Sequence, residues 1–149
     1  MTLQGIVNSG GRQANIPLFL SSTTEQILFS GVTAGYGLID DSKLYKIYLP
    51  QEQSLIFDSA SLTSSNPAKD AETLQLVQNL MKAVNLAVAA EAMALGKKVG
   101  LNQQQLYDII KGAAGGSWVF QNKVPELISR DFKAGKTVSE VVSELVSFS

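Results

Sequence analysis

Between Pro67 and Gly100 no proline interrupts the chain, and the sole internal glycine, Gly96, lies near the end of the run. Within it Val77, Leu80, Met81, Val84, Val88, Ala92, Leu95 and Val99 recur at three- and four-residue steps, the period of a helix. Asn66 is a good cap, and Pro67 suits a first helical turn, where its missing N–H has no partner to lose. Gly100 supplies the stop. A helix of about 30 residues is roughly 45 Å long. Leu74, Leu76, Leu86 and Met93 make it apolar on several faces, so it is expected to be the central helix of its domain.

Beyond Gly100 the pattern is again helical. Asn102 and Gln105 resemble a capping box ahead of Leu106, Ile109 and Ile110, and Gly112, Gly115 and Gly116 break that helix. Ser117 can cap a third helix bearing Trp118, Val119, Leu127 and Ile128, which Pro125 is expected to bend or divide. Thr137 and Glu140 form another box before Val138, Val141, Val142, Leu145 and Val146, an apolar stripe that needs a partner.

The first half is less regular. Leu3, Ile6 and Val7 form a weak helical pattern that Gly10-Gly11 interrupts. Asn15-Ile16-Pro17-Leu18 reads as an extended connector, since the residue before proline avoids helix. Ser22 and Glu25 box the start of a helix through Ile27, Leu28, Val32 and Ala34, closed by Gly35 to Gly37. Leu44 to Leu49 alternates enough for a short strand or a tail. Residues 50–66 collect Gln, Ser, Thr and Asp and read as a linker between segments 1–49 and 67–149.

Composition narrows the chemistry. The chain has 149 residues, 45% of them hydrophobic and 17% charged, which suits a folded core. Its formal charge is -1 with basic residues scattered, so neither a nucleic-acid surface nor a polybasic membrane anchor is expected. No cysteine is present, which removes thiol nucleophiles, disulfides and iron–sulfur clusters. No histidine is present either, which removes Ser-His-Asp chemistry, imidazole-based zinc sites and the usual neutral-pH proton shuttle. Asp40-Asp41 reads as a cap or loop pair, and no metal site is expected. With no signal-like start and no lipid-spanning run, the expectation is a soluble cytoplasmic protein.

Particular residues resemble a known family. Leu76-Val77-Gln78-Asn79-Leu80-Met81, Asn85-Leu86-Ala87 and Ala90 to Leu95 are similar to the first helix of the C-terminal, all-α domain of the β-hydroxyacid dehydrogenases. These include 3-hydroxyisobutyrate and L-threonate dehydrogenases and are related to 6-phosphogluconate dehydrogenase. Lys98 to Leu101 is similar to that helix's stop, and Gly116-Ser117-Trp118 through Pro125, with Asp131-Phe132, to a second family segment. Residues 5–48 resemble the other end of the same domain, through Gly5-Ile6-Val7, Ile16-Pro17-Leu18, Gly35-Tyr36-Gly37 and Asp40-Asp41-Ser42. The domain's end thus precedes its start. The resemblance implies an all-α helical bundle around one long helix, in tandem, circularly permuted or domain-swapped order.

The family pairs this domain with a Rossmann domain that holds NAD or NADP through a Gly-rich turn. No GxGxxG occurs here, so no cofactor is expected for this chain alone, and NAD or NADP only if a Rossmann domain completes it. The family's catalytic lysine, which polarises the substrate oxygen, falls on Gln75, while the asparagine four residues on is retained as Asn79. A glutamine amide cannot relay that proton, so no catalytic residue is assigned. Lys82 shares the face of Gln75 and Asn79 but lies two turns on. Gln75, Asn79, Gly116, Ser117 and Lys123 are the candidate substrate contacts, Lys123 standing where the family usually has arginine. Trp118 and Phe120 read as packing aromatics.

The resulting expectation is a non-catalytic helical dimerisation or interaction module, homodimeric, derived from an NAD(P)-dependent 3-hydroxyacid dehydrogenase. Its rival is the substrate-binding part of an active oxidoreductase whose Rossmann domain lies on an adjoining segment or another polypeptide. A scaffold that binds another protein through residues 138–146 is a third reading.

Overall fold

The structure, a computed structural model, describes residues 3–49, 66–132 and 135–146, and every regular element among them is helical. The sequence linker at 50–66 lies outside the described residues apart from Asn66. The order is α1 (Leu3–Gln13), α2 (Phe19–Gly31), a π turn (Val32–Tyr36), a 3₁₀ segment (Asp41–Ile47), α3 (Pro67–Lys98), α4 (Gln103–Ile110), α5 (Trp118–Ser129) and α6 (Val138–Val146). Residues 3–10 and 18–49 form one compact unit, and 11–17 with the described residues from 66 onward form another.

In the first half of the chain the local punctuation is overridden twice. Gly10-Gly11 does not interrupt α1, although each glycine costs a helix about 1 kcal/mol. The side chain of Asn8, 3% exposed, ties α1 down by donating from Nδ2 to Glu25 Oε2 at 2.6 Å. That contact takes the carboxylate expected to box Ser22, and α2 begins three residues earlier, at Phe19, directly after the connector. Gly35 does close the helical run, with φ at +88°.

The expected strand or tail at Leu44 to Leu49 is instead the 3₁₀ segment and the turn after it. Asp40 caps it, its Oδ1 accepting from the Ser42 N–H at 3.0 Å, and the Ser42 hydroxyl together with that N–H holds the Asp40 carboxyl below its usual range. Leu44 and Ile47 then close over Gly31, their methyls 3.3 Å from where a β-carbon would sit. This contact and the cap outweigh the weak alternation of LYKIYL.

The second unit follows the sequence more closely. Asn66, Asn102 and Ser117 each accept, through the side chain, from the backbone N–H three residues on. Thr137 and Glu140 close a reciprocal box, at 2.6 Å from the Thr137 N–H to Glu140 Oε2 and 3.2 Å from the Glu140 N–H to Thr137 Oγ1. The Thr137 N–H and hydroxyl hold the Glu140 carboxyl below its ordinary range. Gly100, at φ +84°, ends α3.

The long helix packs on α4, α5 and α6; of the apolar stripe of α6, Val141 and Leu145 are half-buried, while Val138, Val142 and Val146 stay exposed. The core is Ala89 and Met93 of α3 against Phe120 and Val124 of α5, flanked by Leu106, Tyr107, Ile110 and Ile128. Tyr107 stacks on Phe120 with centroids 5.9 Å apart. α3 is the central helix of its unit, as expected, yet one of its apolar faces stays open. Leu74, Val77, Leu80, Met81, Val84 and Val88 remain exposed. Pro125 does not divide α5.

Candidate functional site

The second unit contains a cleft of about 590 Å³ between α3, α5, the segment before α6, and α6 itself. From α3 come Asn79, Lys82, Ala83 and Leu86, from α5 Trp118, Val119, Lys123 and Glu126, and from α6 Val141 and Glu144. Helical spacing explains the convergence, since Asn79, Lys82, Ala83 and Leu86 are three- and four-residue neighbours on one face. The Thr137–Glu140 box fixes where α6 begins, and so places Val141 and Glu144.

Charges in the cleft are mostly paired. Lys123 Nζ donates to both oxygens of Glu126 at 3.0 Å, with side chains 36% and 38% exposed. Lys136 pairs with Glu144 across the mouth. Lys82 has no ion pair among the described residues and adds one positive charge to these two neutral pairs. Trp118, 68% exposed, and Phe132, 71% exposed, form accessible apolar walls. Only Phe120 of the two helix-start aromatics is core, so the packing expected of Trp118 gives way to cleft lining. A site with one unpaired ammonium, an amide one turn away and apolar walls suits a small monoanion with an apolar portion.

The five candidate contacts do not all gather there. Asn79 and Lys123 line the cleft; Gln75, Gly116 and Ser117 do not. The Gln75 Nε2 donates to Asn79 Oδ1 at 2.9 Å, so the position the resemblance gives to a lysine holds a neutral amide pair. Ser117 Oγ caps α5. The Gly116 N–H donates to the Ala113 carbonyl at 2.9 Å.

Sequence alone does not point to Glu126, Lys136 and Glu144 as cleft residues, and it gives Phe132 only as part of the resemblance. The three-residue spacing of Lys123 and Glu126 is the one visible signal for the first pair. Lys136 and Glu144 meet only through the fold of the segment between them, which spacing does not announce.

A dinucleotide needs backbone N–H groups aimed at its pyrophosphate. The Gly112–Gly116 turn presents the opposite polarity. The carbonyl oxygens of Lys111, Ile110 and Ala113 crowd Gly116, within 3.1 Å of where its β-carbon would stand. That turn therefore does not form a pyrophosphate cradle. Among the described residues no cluster of acidic side chains could hold a metal ion, and no helix is long and apolar enough to cross a membrane.

The family model described as the NAD-binding domain of NADP-dependent 3-hydroxyisobutyrate dehydrogenase matches residues 70–144. An L-threonate dehydrogenase of Cupriavidus necator is 39% identical over 72 residues, 48% of this chain and 24% of that protein. An L-threonate dehydrogenase of Escherichia coli K12 is 33% identical over 73 residues, 49% of this chain and 24% of the relative. A probable 3-hydroxyisobutyrate dehydrogenase of Mycobacterium tuberculosis is 32% identical over 71 residues, 43% of this chain and 24% of the relative. The matched segment thus spans about a quarter of these relatives. No solved structure matches the chain.

Proposed function

The chain belongs to the 3-hydroxyisobutyrate dehydrogenase family of NAD(P)-dependent hydroxyacid dehydrogenases, and from that premise we propose that it is a non-catalytic helical module acting by association, as a homodimer. The observation that carries the reading is the Gln75–Asn79 pair. Hydride transfer from a hydroxy acid requires a group that takes the hydroxyl proton as the carbonyl forms. Lysine can serve; a glutamine amide hydrogen-bonded to its neighbour cannot. The Gly112–Gly116 turn also does not form a pyrophosphate cradle, and no step through a nicotinamide is assigned to this chain.

A purified chain supplied with NAD or NADP and a panel of 3-hydroxy acids, L-threonate included, is expected to show no reduced cofactor above the buffer blank. Saturable, enzyme-dependent reduction would overturn the proposal.

The cleft favours a second reading, in which the chain contributes the acid-binding part of an oxidoreductase completed by a Rossmann domain elsewhere. Its support is the unpaired Lys82 one turn from Asn79, with Trp118 in the same cleft. That reading requires a saturable rise in melting temperature with the hydroxy acid, lost in Lys82→Met. A flat melting temperature across the panel rejects it.

A further inference from the structure

We infer that the cleft between α3, α5 and α6 is a receptor for an arene-bearing monocarboxylate held by Lys82 and Asn79, an inference that rests on the cleft and on neither role proposed above. Charge balance sets the charge of the ligand. Among the described residues of the lining, Glu126 neutralises Lys123 and Glu144 neutralises Lys136, so the Lys82 ammonium is the cation left over. One carboxylate matches it, whereas a second anionic group would find its cations already engaged. Asn79 adds direction. Its Oδ1 accepts from Gln75 Nε2 at 2.9 Å, which leaves the Asn79 Nδ2 hydrogens for a ligand. Asn79 and Lys82 stand three residues apart, so their β-carbons are about 5–6 Å from each other on one helix face. A single carboxylate can accept from both. Gln75 is thus a positioning residue, since without its donor the Asn79 amide is free to turn its carbonyl toward the anion.

The rest of the lining selects an apolar body. Trp118 and Phe132 are 68% and 71% exposed, and Ala83, Leu86, Val119 and Val141 line the same cleft. The side-chain acceptors there are already engaged, Glu126 and Glu144 by lysines, the Thr137 hydroxyl by Glu140 and Asn79 Oδ1 by Gln75. A run of hydroxyls entering this cleft would exchange water for apolar wall, at a cost for each one left unpaired. An arene instead covers Trp118 and Phe132, and is favoured both by the area removed from water and by ring contact. At about 590 Å³ the cleft falls in the range that holds drug-sized ligands and is larger than a small hydroxy acid needs. The ligand therefore differs in class from the hydroxylated acids, L-threonate and 3-hydroxyisobutyrate, in the names of the relatives.

Trp118 is the single tryptophan of the chain, so its emission reports occupancy of this cleft. Titrating the full chain with 3-phenylpropionate is expected to change that emission saturably. Lys82→Met should weaken binding about tenfold or more, as loss of a hydrogen bond to a charged group does, with helicity unchanged. 3-Phenylpropanamide, the same arene without the charge, should bind the wild type weaker than the acid by a similar factor. Gln75→Met should weaken the acid several-fold and spare the amide, because a freed Asn79 can turn its carbonyl to the amide's hydrogens. Equal weakening of acid and amide in Gln75→Met overturns the positioning role. Binding of 3-phenylpropionate that Lys82→Met leaves unchanged is adsorption on the aromatic walls, and overturns the site. Tighter binding of L-threonate or 3-hydroxyisobutyrate than of 3-phenylpropionate overturns the ligand class while sparing the acid-binding reading above. Unchanged emission and an unshifted melting temperature with all three acids overturn the receptor outright.

Discussion

Gly116 stands where a β-carbon has no room. Such an atom would sit 2.9 Å from the Lys111 carbonyl oxygen, 3.0 Å from that of Ile110 and 3.1 Å from that of Ala113. Backbone at the end of a helix cannot rotate aside as a side chain can, so Gly116→Ala is expected to cost about 1–3 kcal/mol. Gly112, in the same turn, has nothing within 4 Å of the corresponding position, which makes Gly112→Ala the matched control. Urea midpoints should fall for Gly116→Ala and stay nearly still for Gly112→Ala. Equal shifts would mean that crowding is not what the glycine at 116 answers to. The same carbonyl ring explains why a glycine-rich stretch in a dehydrogenase relative is here a helix stop.

Within α5, Pro125 lacks the N–H that would bond the Gln121 carbonyl one turn earlier. That carbonyl accepts instead from the Tyr107 hydroxyl of α4, at 3.2 Å. A side chain from the neighbouring helix thus supplies the missing donor, and α5 continues to Ser129. Tyr107→Phe is expected to cost about 0.5–1.5 kcal/mol. In a Pro125→Ala background, where residue 125 regains its N–H, the same change should cost measurably less. A double-mutant cycle in urea with no coupling would remove this account.

Elements are legible where the signal is local. Asn66, Asn102, Ser117 and Thr137 each announce a helix start because the cap needs only its own next three residues. The expectations fail where a distant residue intervenes, as Asn8 does at Glu25, Tyr107 at Pro125, and Gly31 beneath Leu44 and Ile47. The candidate site divides the same way. Asn79 and Lys123 are readable from the resemblance, whereas Lys136 and Glu144, eight residues apart and joined by the fold between them, are not.

At the scale of the whole chain, the two compact units differ in what holds them. The unit containing α3 to α6 centres on Met93, 1% exposed, packed with Ala89, Phe120 and Val124. The unit containing α2 and the 3₁₀ segment relies on the closure of Leu44 and Ile47 over Gly31 and on the Asn8–Glu25 contact. Deleting the Met93 side chain beyond Cβ should therefore loosen one and spare the other. Met93→Ala is expected to cost about 2–5 kcal/mol, the usual range for a buried methionine or leucine. Native-state hydrogen exchange locates that loss, because each cooperative unit opens with its own free energy. Amides in the C-terminal half of α3, in α4 and in α5 should exchange faster by the full amount, while those of α2 keep wild-type protection. Uniform loss across both units would show that the chain unfolds as one body, and that the division by compactness has no energetic counterpart.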